Sequence, residues 1–335
     1  MRIVSKAPCR VDLAGGTLDI WPLYLHHPGA VTVNFAVDRY TSCKVETHEE
    51  SDILLRSVDL GEQETYASLD ALKQASKTKL PLLAYVLRYF GAPSGLSMET
   101  GSAAPAGAGI SGSSALIIAI AGALNRLNGT GHPIEKIREI AQNIEAQIIR
   151  VPTGCQDYYP AMYGGVSAIE LGPAGIRRSA IPVDVDDFDA RIVLAYTGEP
   201  RNSGINNWEV TKAYIDGDRQ VHRNFDRICA IAIGMRAAVE KQDWAEVGRL
   251  LREEWTNRRK NAPGITTPLI DELVRVTRRA GALGAKVCGA GGGGCVFFLV
   301  DRGAREKVVR AIEQTGATVL PVEVARKGLQ VRTMG

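Results

Sequence analysis

Over residues 2–5, 30–37 and 41–47 apolar and polar positions follow the short, β-branched pattern of strands, and 95–100 reads the same way. Helical spacing takes over at 80–90. Two further helices are predicted at 114–127 and 134–149, with Pro133 near the start of the second and Val151-Pro152 ending it. Residues 166–170 return to strand. The acidic stretch Asp184-Val185-Asp186-Asp187-Phe188-Asp189 reads as a surface connection, and the domain boundary is placed there, giving units 1–188 and 189–335. The second unit opens with a strand at 190–196 and continues through helices near 207–216, 219–241, 243–255 and 267–281. An apolar strand at 295–300, a helix at 303–315 and a strand at 317–324 close it. Strands and helices mix without strict alternation, which predicts an α+β fold rather than a doubly wound sheet.

Composition narrows the function classes. At 335 residues the chain is long enough for a large core and two domains. A net charge of +3, with no basic stripe interleaved with aromatics, argues against a nucleic-acid partner. The apolar run after Ser114 is broken by Asn125 and Arg126, too short for a bilayer, so no membrane partner is expected. The six cysteines form no C-x-x-C pair. With no signal-like segment after Met1, a cytoplasmic setting follows, without a zinc site or disulfide framework.

Two glycine-rich stretches interrupt the pattern in the first unit. Residues 7–19, Ala-Pro-Cys-Arg-Val-Asp-Leu-Ala-Gly-Gly-Thr-Leu-Asp, read as a loop beside a site. Pro105-Ala106-Gly107-Ala108-Gly109-Ile110-Ser111-Gly112-Ser113-Ser114 leads into the apolar helix at 114–127. Free N–H groups and a helix dipole there favour an anion, so the stretch reads as a phosphate cradle; the alternative is a tight turn before a core helix. The G-x-G-x-x-G spacing of Gly107, Gly109 and Gly112 comes about 100 residues too late for a dinucleotide fold. Glu145 lies at the edge of the apolar stripe of its helix. It suits either a Mg²⁺ site shared with Ser113 Oγ or a pairing with some arginine. In isolation Asp157 reads as a helix cap and Arg10 and Asp19 as surface charges; Arg258-Arg259-Lys260 reads either as a solvated helix face or, with Arg201, as a positive pocket for an acceptor that carries a phosphate or carboxylate.

Taken together, three separated motifs resemble the galactokinase, homoserine kinase, mevalonate kinase and phosphomevalonate kinase family, the GHMP kinases. They are Ala7 to Asp19, Pro105 to Ala115, and Lys286-Val287-Cys288-Gly289-Ala290-Gly291-Gly292-Gly293-Gly294. The resemblance implies the GHMP fold: an N-terminal ribosomal protein S5 domain 2-like domain and a C-terminal ferredoxin-like domain. It also implies ATP and Mg²⁺ as cofactors. ATP would lie on Pro105, Gly107, Ala108, Gly109, Ser111, Gly112, Ser113 and Ser114, with Mg²⁺ on Ser113 and Glu145. Asp157 would accept or orient the acceptor's hydroxyl proton, and Arg10 would offset the developing charge. Asp19, nine residues after Arg10, matches the family's sugar kinases. The surrounding residues are most similar to the heptose 7-phosphate kinase and fucokinase branch, which phosphorylates the anomeric hydroxyl. Gly15, Gly16, Thr17, Asp19, Arg201, Gly291 and Gly292 are the residues expected at the acceptor, a sugar or sugar phosphate, in a monomer or homodimer. An unphosphorylated hexose or uronic acid, a diphosphomevalonate decarboxylase and a non-catalytic sugar sensor are the competing readings.

Overall fold

The computed structural model describes residues 1–200, 204–260 and 264–334. The chain runs β1 (Arg2–Ala14), β2 (Val31–His48), β3 (Ile53–Ser57), β4 (Glu62–Tyr66), α1 (Leu69–Gln74), α2 (Pro81–Phe90), β5 (Gly95–Ser102), α3 (Gly112–Asn128), α4 (Ile134–Ile149), α5 (Tyr158–Tyr163), β6 (Val166–Gly172) and β7 (Gly175–Ala180). It continues through α6 (Val185–Asp189), β8 (Ile192–Tyr196), α7 (Gly204–Ile215), α8 (Arg219–Glu240), α9 (Trp244–Arg258), α10 (Pro268–Ala280), β9 (Ala282–Val287), β10 (Cys295–Val300), α11 (Arg305–Glu313), β11 (Thr318–Leu320) and β12 (Gln330–Met334).

The first sheet has the order β12-β1-β2-β5-β3-β4, and β2 is long enough to fork it. Along one edge β2 pairs with β1; along the other, Val31–Phe35 pair with β6 and Thr41–His48 with β5. Helix α3 packs across β1 and β2. Its run from Ala115 to Leu124 is buried except at Leu116, as the uniformly apolar sequence demands. Gly122 lets the C-terminal segment close over it: a Cβ there would stand 2.7 Å from Leu329 Cδ2.

Residues 7–14 are strand, not loop. They are the buried end of β1, and the polar Arg10 and Asp12 sit there because charges from distant elements pair with them. The register of β1 on β2 shifts between Pro8 and Cys9 and again between Asp12 and Ala14, so irregularities bracket Arg10 and Asp12. The acidic stretch near 184–189 is likewise more than a connection: it contains α6, capped by Asp184, which accepts from the Asp187 N–H, and it buries Phe188. At the C-terminal end the strand expected over 317–324 covers only β11, and β12 then returns to the first sheet, antiparallel to β1.

The second sheet, β11-β8-β10-β9, is wholly antiparallel. With α7 to α10 between its first two strands and α11 before its last, it has the ferredoxin-like arrangement. Cys295, Phe297 and Leu299 face the main core, whereas Val296, Phe298 and Val300 face a second core with α10 and α11. Burial on both faces explains why β10 reads as an unbroken apolar run. No helix among the described residues is long and apolar enough to cross a membrane.

Candidate active site

The turn before α3 is built for a ligand. Gly107 and Gly109 have φ of +68° and +80°, and Ser111, the residue preceding the first turn, is itself left-handed at +62°. A non-glycine residue in that region carries strain, which proteins retain mainly at functional positions. No side chain caps the helix start, and Ser111 Oγ is buried with no partner. The N-terminal N–H groups of α3 are therefore left to water or to an anion.

Beneath that turn lies Glu145, buried at 7% exposure near the C-terminal end of α4. Its Oε1 accepts from Ser113 Oγ at 2.6 Å; its Oε2 accepts from Ser114 Oγ at 2.9 Å and from the Tyr158 hydroxyl at 2.6 Å. Burial pushes the carboxyl above its usual range, against the pull of these hydroxyls. No arginine or lysine pairs with it among the described residues, so the arginine-paired reading does not hold. A carboxylate oxygen beside a hydroxyl, short of positive charge, fits a hard divalent cation that takes its remaining ligands from phosphate and water.

Asp157 stands at the first turn of α5 without capping it. Its Oδ1 instead accepts from Arg10, from Nε at 2.8 Å and from a terminal nitrogen at 2.7 Å. Arg10 is 2% exposed, and it also donates to the Gly109 carbonyl at 2.8 Å, tying the glycine turn to the ion pair.

Asp19 is almost as buried. Its Oδ2 accepts the Gln156 N–H at 2.9 Å, and burial, reinforced by the nearby Asp157, raises its carboxyl to about 6. Gly154 makes that placement available, since a Cβ there would meet Asp19 Oδ2 at 2.0 Å.

These groups, Tyr158 apart, line one cleft of about 650 Å³. Arg10, Thr17, Asp19, Glu145, Asp157 and the predicted phosphate-loop residues from Pro105 to Ser114 are in its wall. Gly15 and Gly16 are not. They serve close approach: a Cβ on Gly15 would meet the Val31 carbonyl at 2.3 Å, and one on Gly16 would meet an Arg258 nitrogen at 2.6 Å. Gly291 and Gly292 also lie off the lining; Gly292 N–H donates to the Ile265 carbonyl at 2.9 Å. In the third motif it is Gly289 and Ala290 that reach the cleft. Gly294 buttresses the phosphate loop from behind, where a Cβ would stand 2.7 Å from the Ala108 carbonyl oxygen. Arg201 lies outside the described residues.

Several site residues were not visible in the sequence. Tyr158 completes the hydroxyl shell of Glu145. Leu60, Leu82, Leu116 and Ile149 supply apolar lining. Arg258 is buried rather than solvated, while Arg259 and Lys260 are exposed. Asp12, Glu254, Lys286 and Arg258 form a buried charge cluster. Lys286 Nζ lies 2.6 Å from Asp12 Oδ2 and 3.1 Å from Glu254 Oε1, and Arg258 reaches the same two oxygens at 3.2 and 3.4 Å. The signal for Lys286 was its place between apolar neighbours in Ala285-Lys286-Val287-Cys288, where a charge has to be paired.

Residues 76–165 match the model of the GHMP kinases N terminal domain, and residues 235–318 match that of the GHMP kinases C terminal. The chain is similar to a D-glycero-alpha-D-manno-heptose 7-phosphate kinase of Campylobacter jejuni, 24% identical over 339 residues that cover 98% of both chains. It is also similar to a mevalonate kinase of Pyrococcus furiosus, 28% identical over 354 residues that cover 99% of this chain and 98% of that one. Among solved structures, a D-glycero-D-manno-heptose 1-phosphate kinase from Bacteroides thetaiotaomicron superposes with a TM-score of 0.80. It is 24% identical and covers 99% of each chain, a likeness of fold.

Proposed function

Because this chain belongs to the GHMP kinase family, and is thus a phosphotransferase that uses ATP, we propose that it transfers the γ-phosphoryl group to a sugar hydroxyl. The anomeric hydroxyl of a heptose 7-phosphate or a related sugar is the acceptor favoured. One observation carries the reading: the Arg10–Asp157 ion pair, the Ser113–Glu145 contact and the uncapped start of α3 share a single cleft.

The triphosphate would lie on the turn from Gly107 to Ser114, where backbone N–H groups and the helix dipole offset its charge. The apolar side chains of Leu60, Leu82, Leu116 and Ile149 suit a purine ring. Ser113 and Glu145 would hold Mg²⁺, which when bound neutralises phosphate charge. Asp157 would take, or at least orient, the proton of the attacking hydroxyl, and Arg10 would hold that carboxylate in place and face the transferred group. Asp19, buried next to Asp157, would accept hydrogen bonds from neighbouring sugar hydroxyls. The predicted N-terminal unit 1–188 and C-terminal unit 189–335 would share the work, the first carrying catalysis and the second closing the acceptor side.

Release of ADP from Mg²⁺-ATP tests the reading across a panel of heptose and hexose phosphates, free aldoses, uronic acids and mevalonate. Turnover confined to sugars supports it, and a 7-phosphorylated heptose is expected to give the highest kcat/KM. Turnover with mevalonate alone rejects the sugar assignment. Measurable sugar binding with no ADP from any acceptor rejects the kinase reading in favour of a sensor.

A further inference from the structure

Arg10 and Asp12 lie two residues apart on β1 within one continuous stretch of its register on β2, so they share a face of the strand. Both are buried, at 2% and 1% exposure. Arg10 therefore has two carboxylates within its reach, Asp12 beside it on the strand and Asp157 from the start of α5. It pairs with Asp157.

The reason lies in the C-terminal half of the chain. Asp12 Oδ2 is already taken by Lys286 Nζ at 2.6 Å and by Arg258 at 3.2 Å, and its Oδ1 accepts the Gly289 N–H at 3.4 Å. Lys286 is wholly buried, as is Glu254, which balances the second cation. Two carboxylates and two cations make a group of zero net charge, the form in which buried charges are tolerated. Remove Lys286 and the balance fails: Asp12 keeps only Arg258, which it shares with Glu254, and becomes a competitor of Asp157 for Arg10.

We infer that Lys286 is a positioning residue for phosphoryl transfer: by neutralising Asp12 it leaves Arg10 free to hold Asp157. Glu254 and Arg258 complete the balance, and Arg258 also donates to the Gly289 carbonyl at 2.7 Å, where the third motif enters the cleft. The inference rests on reading Arg10 and Asp157 as the catalytic pair.

The test is charge compensation. Lys286→Met, Asp12→Asn and the double variant are compared for kcat, KM for ATP, far-UV circular dichroism and thermal melting. Lys286→Met is expected to lower kcat at least tenfold with KM for ATP within about twofold. The double variant, which keeps the neutral Glu254–Arg258 pair, is expected to recover most of that loss. Recovery by a second substitution is not what a packing defect would give. A folded double variant as slow as Lys286→Met, or slower, overturns the inference. If Lys286→Met does not fold, the double variant decides alone: folded with kcat within tenfold of the parent supports the inference, folded and inactive overturns it. Asp157→Asn is measured in parallel. Undiminished turnover there removes the catalytic reading itself, whereas an inactive Asp157→Asn beside an unrescued double variant removes only the role of Lys286.

Discussion

Asp19 shows how far burial and one neighbouring carboxylate can move a side chain. Its carboxyl, raised to about 6 by burial and by the neighbouring Asp157, binds its proton more tightly in the folded chain than in the unfolded one. Its contribution to stability is therefore full below pH 4 and is lost as pH rises through 6. That displacement corresponds to a ceiling of roughly 3 kcal/mol. Asp19→Asn should flatten the pH dependence of the melting temperature between pH 4 and 7 and raise KM for the acceptor; an unchanged pH profile would show that the carboxyl stays ionised. Asp157→Asn should cut kcat by a factor on the order of 10² or more, while ATP still binds in an equilibrium titration. At this scale the sequence is informative where residue types stand in a family's order: its motifs single out Arg10, Ser113, Glu145 and Asp157, and the structure brings these four to one cleft. Asp12 and Lys286 were passed over because they are 274 positions apart, and no local pattern announces a partner at that distance.

Among the elements, the phosphate turn depends on the far end of the third motif, where Gly294 stands behind the turn rather than in the cleft wall. Gly294 has φ +76° and abuts the Ala108 carbonyl, and Cys295 N–H donates to that same oxygen at 2.7 Å. Gly294→Ala should push the turn at Gly107 and Ala108 out of place and raise KM for ATP tenfold or more in a protein that still melts cooperatively. Gly154→Ala should act on the other ligand: its Cβ would displace Asp19, raising KM for the acceptor with little change for ATP. Steady-state kinetics with each substrate varied in turn separates the two effects. Helix α4 was predicted with both ends in place, because Pro133 and Val151-Pro152 mark them and its stripe is regular. The first motif reads as a loop for the opposite reason: its charges and the glycines that follow mask a regular alternation, Cys9-Arg10-Val11-Asp12-Leu13, in a strand whose charges are satisfied by residues at α5, α9 and β9. Helices α5 and α6 are too short, at six and five residues, to show a period.

Across the whole molecule, the strand that carries Arg10 has one neighbour from the beginning of the chain and one from its end. β12 covers the outer edge of β1 over residues 2–6, and Leu329 and Val331 close against Gly122 of α3. Deleting residues 329–335 should lower Tm by several degrees, since it exposes both a sheet edge and apolar surface. A scanning-calorimetry trace identical to that of the full chain would show that β12 adds nothing. Nothing in residues 325–335 suggested this pairing beforehand, because an edge strand with one exposed face and no glycine turn to a partner carries little signal. The return of β12 also sets a timetable for synthesis. β1 (Arg2–Ala14) is made long before its edge partner β12 (Gln330–Met334), so every nascent intermediate short of β12 has an open flank beside its future active strand. A chain cut short of β12 would carry that edge unpaired, the kind of surface by which chaperones and proteases recognise an unfinished product.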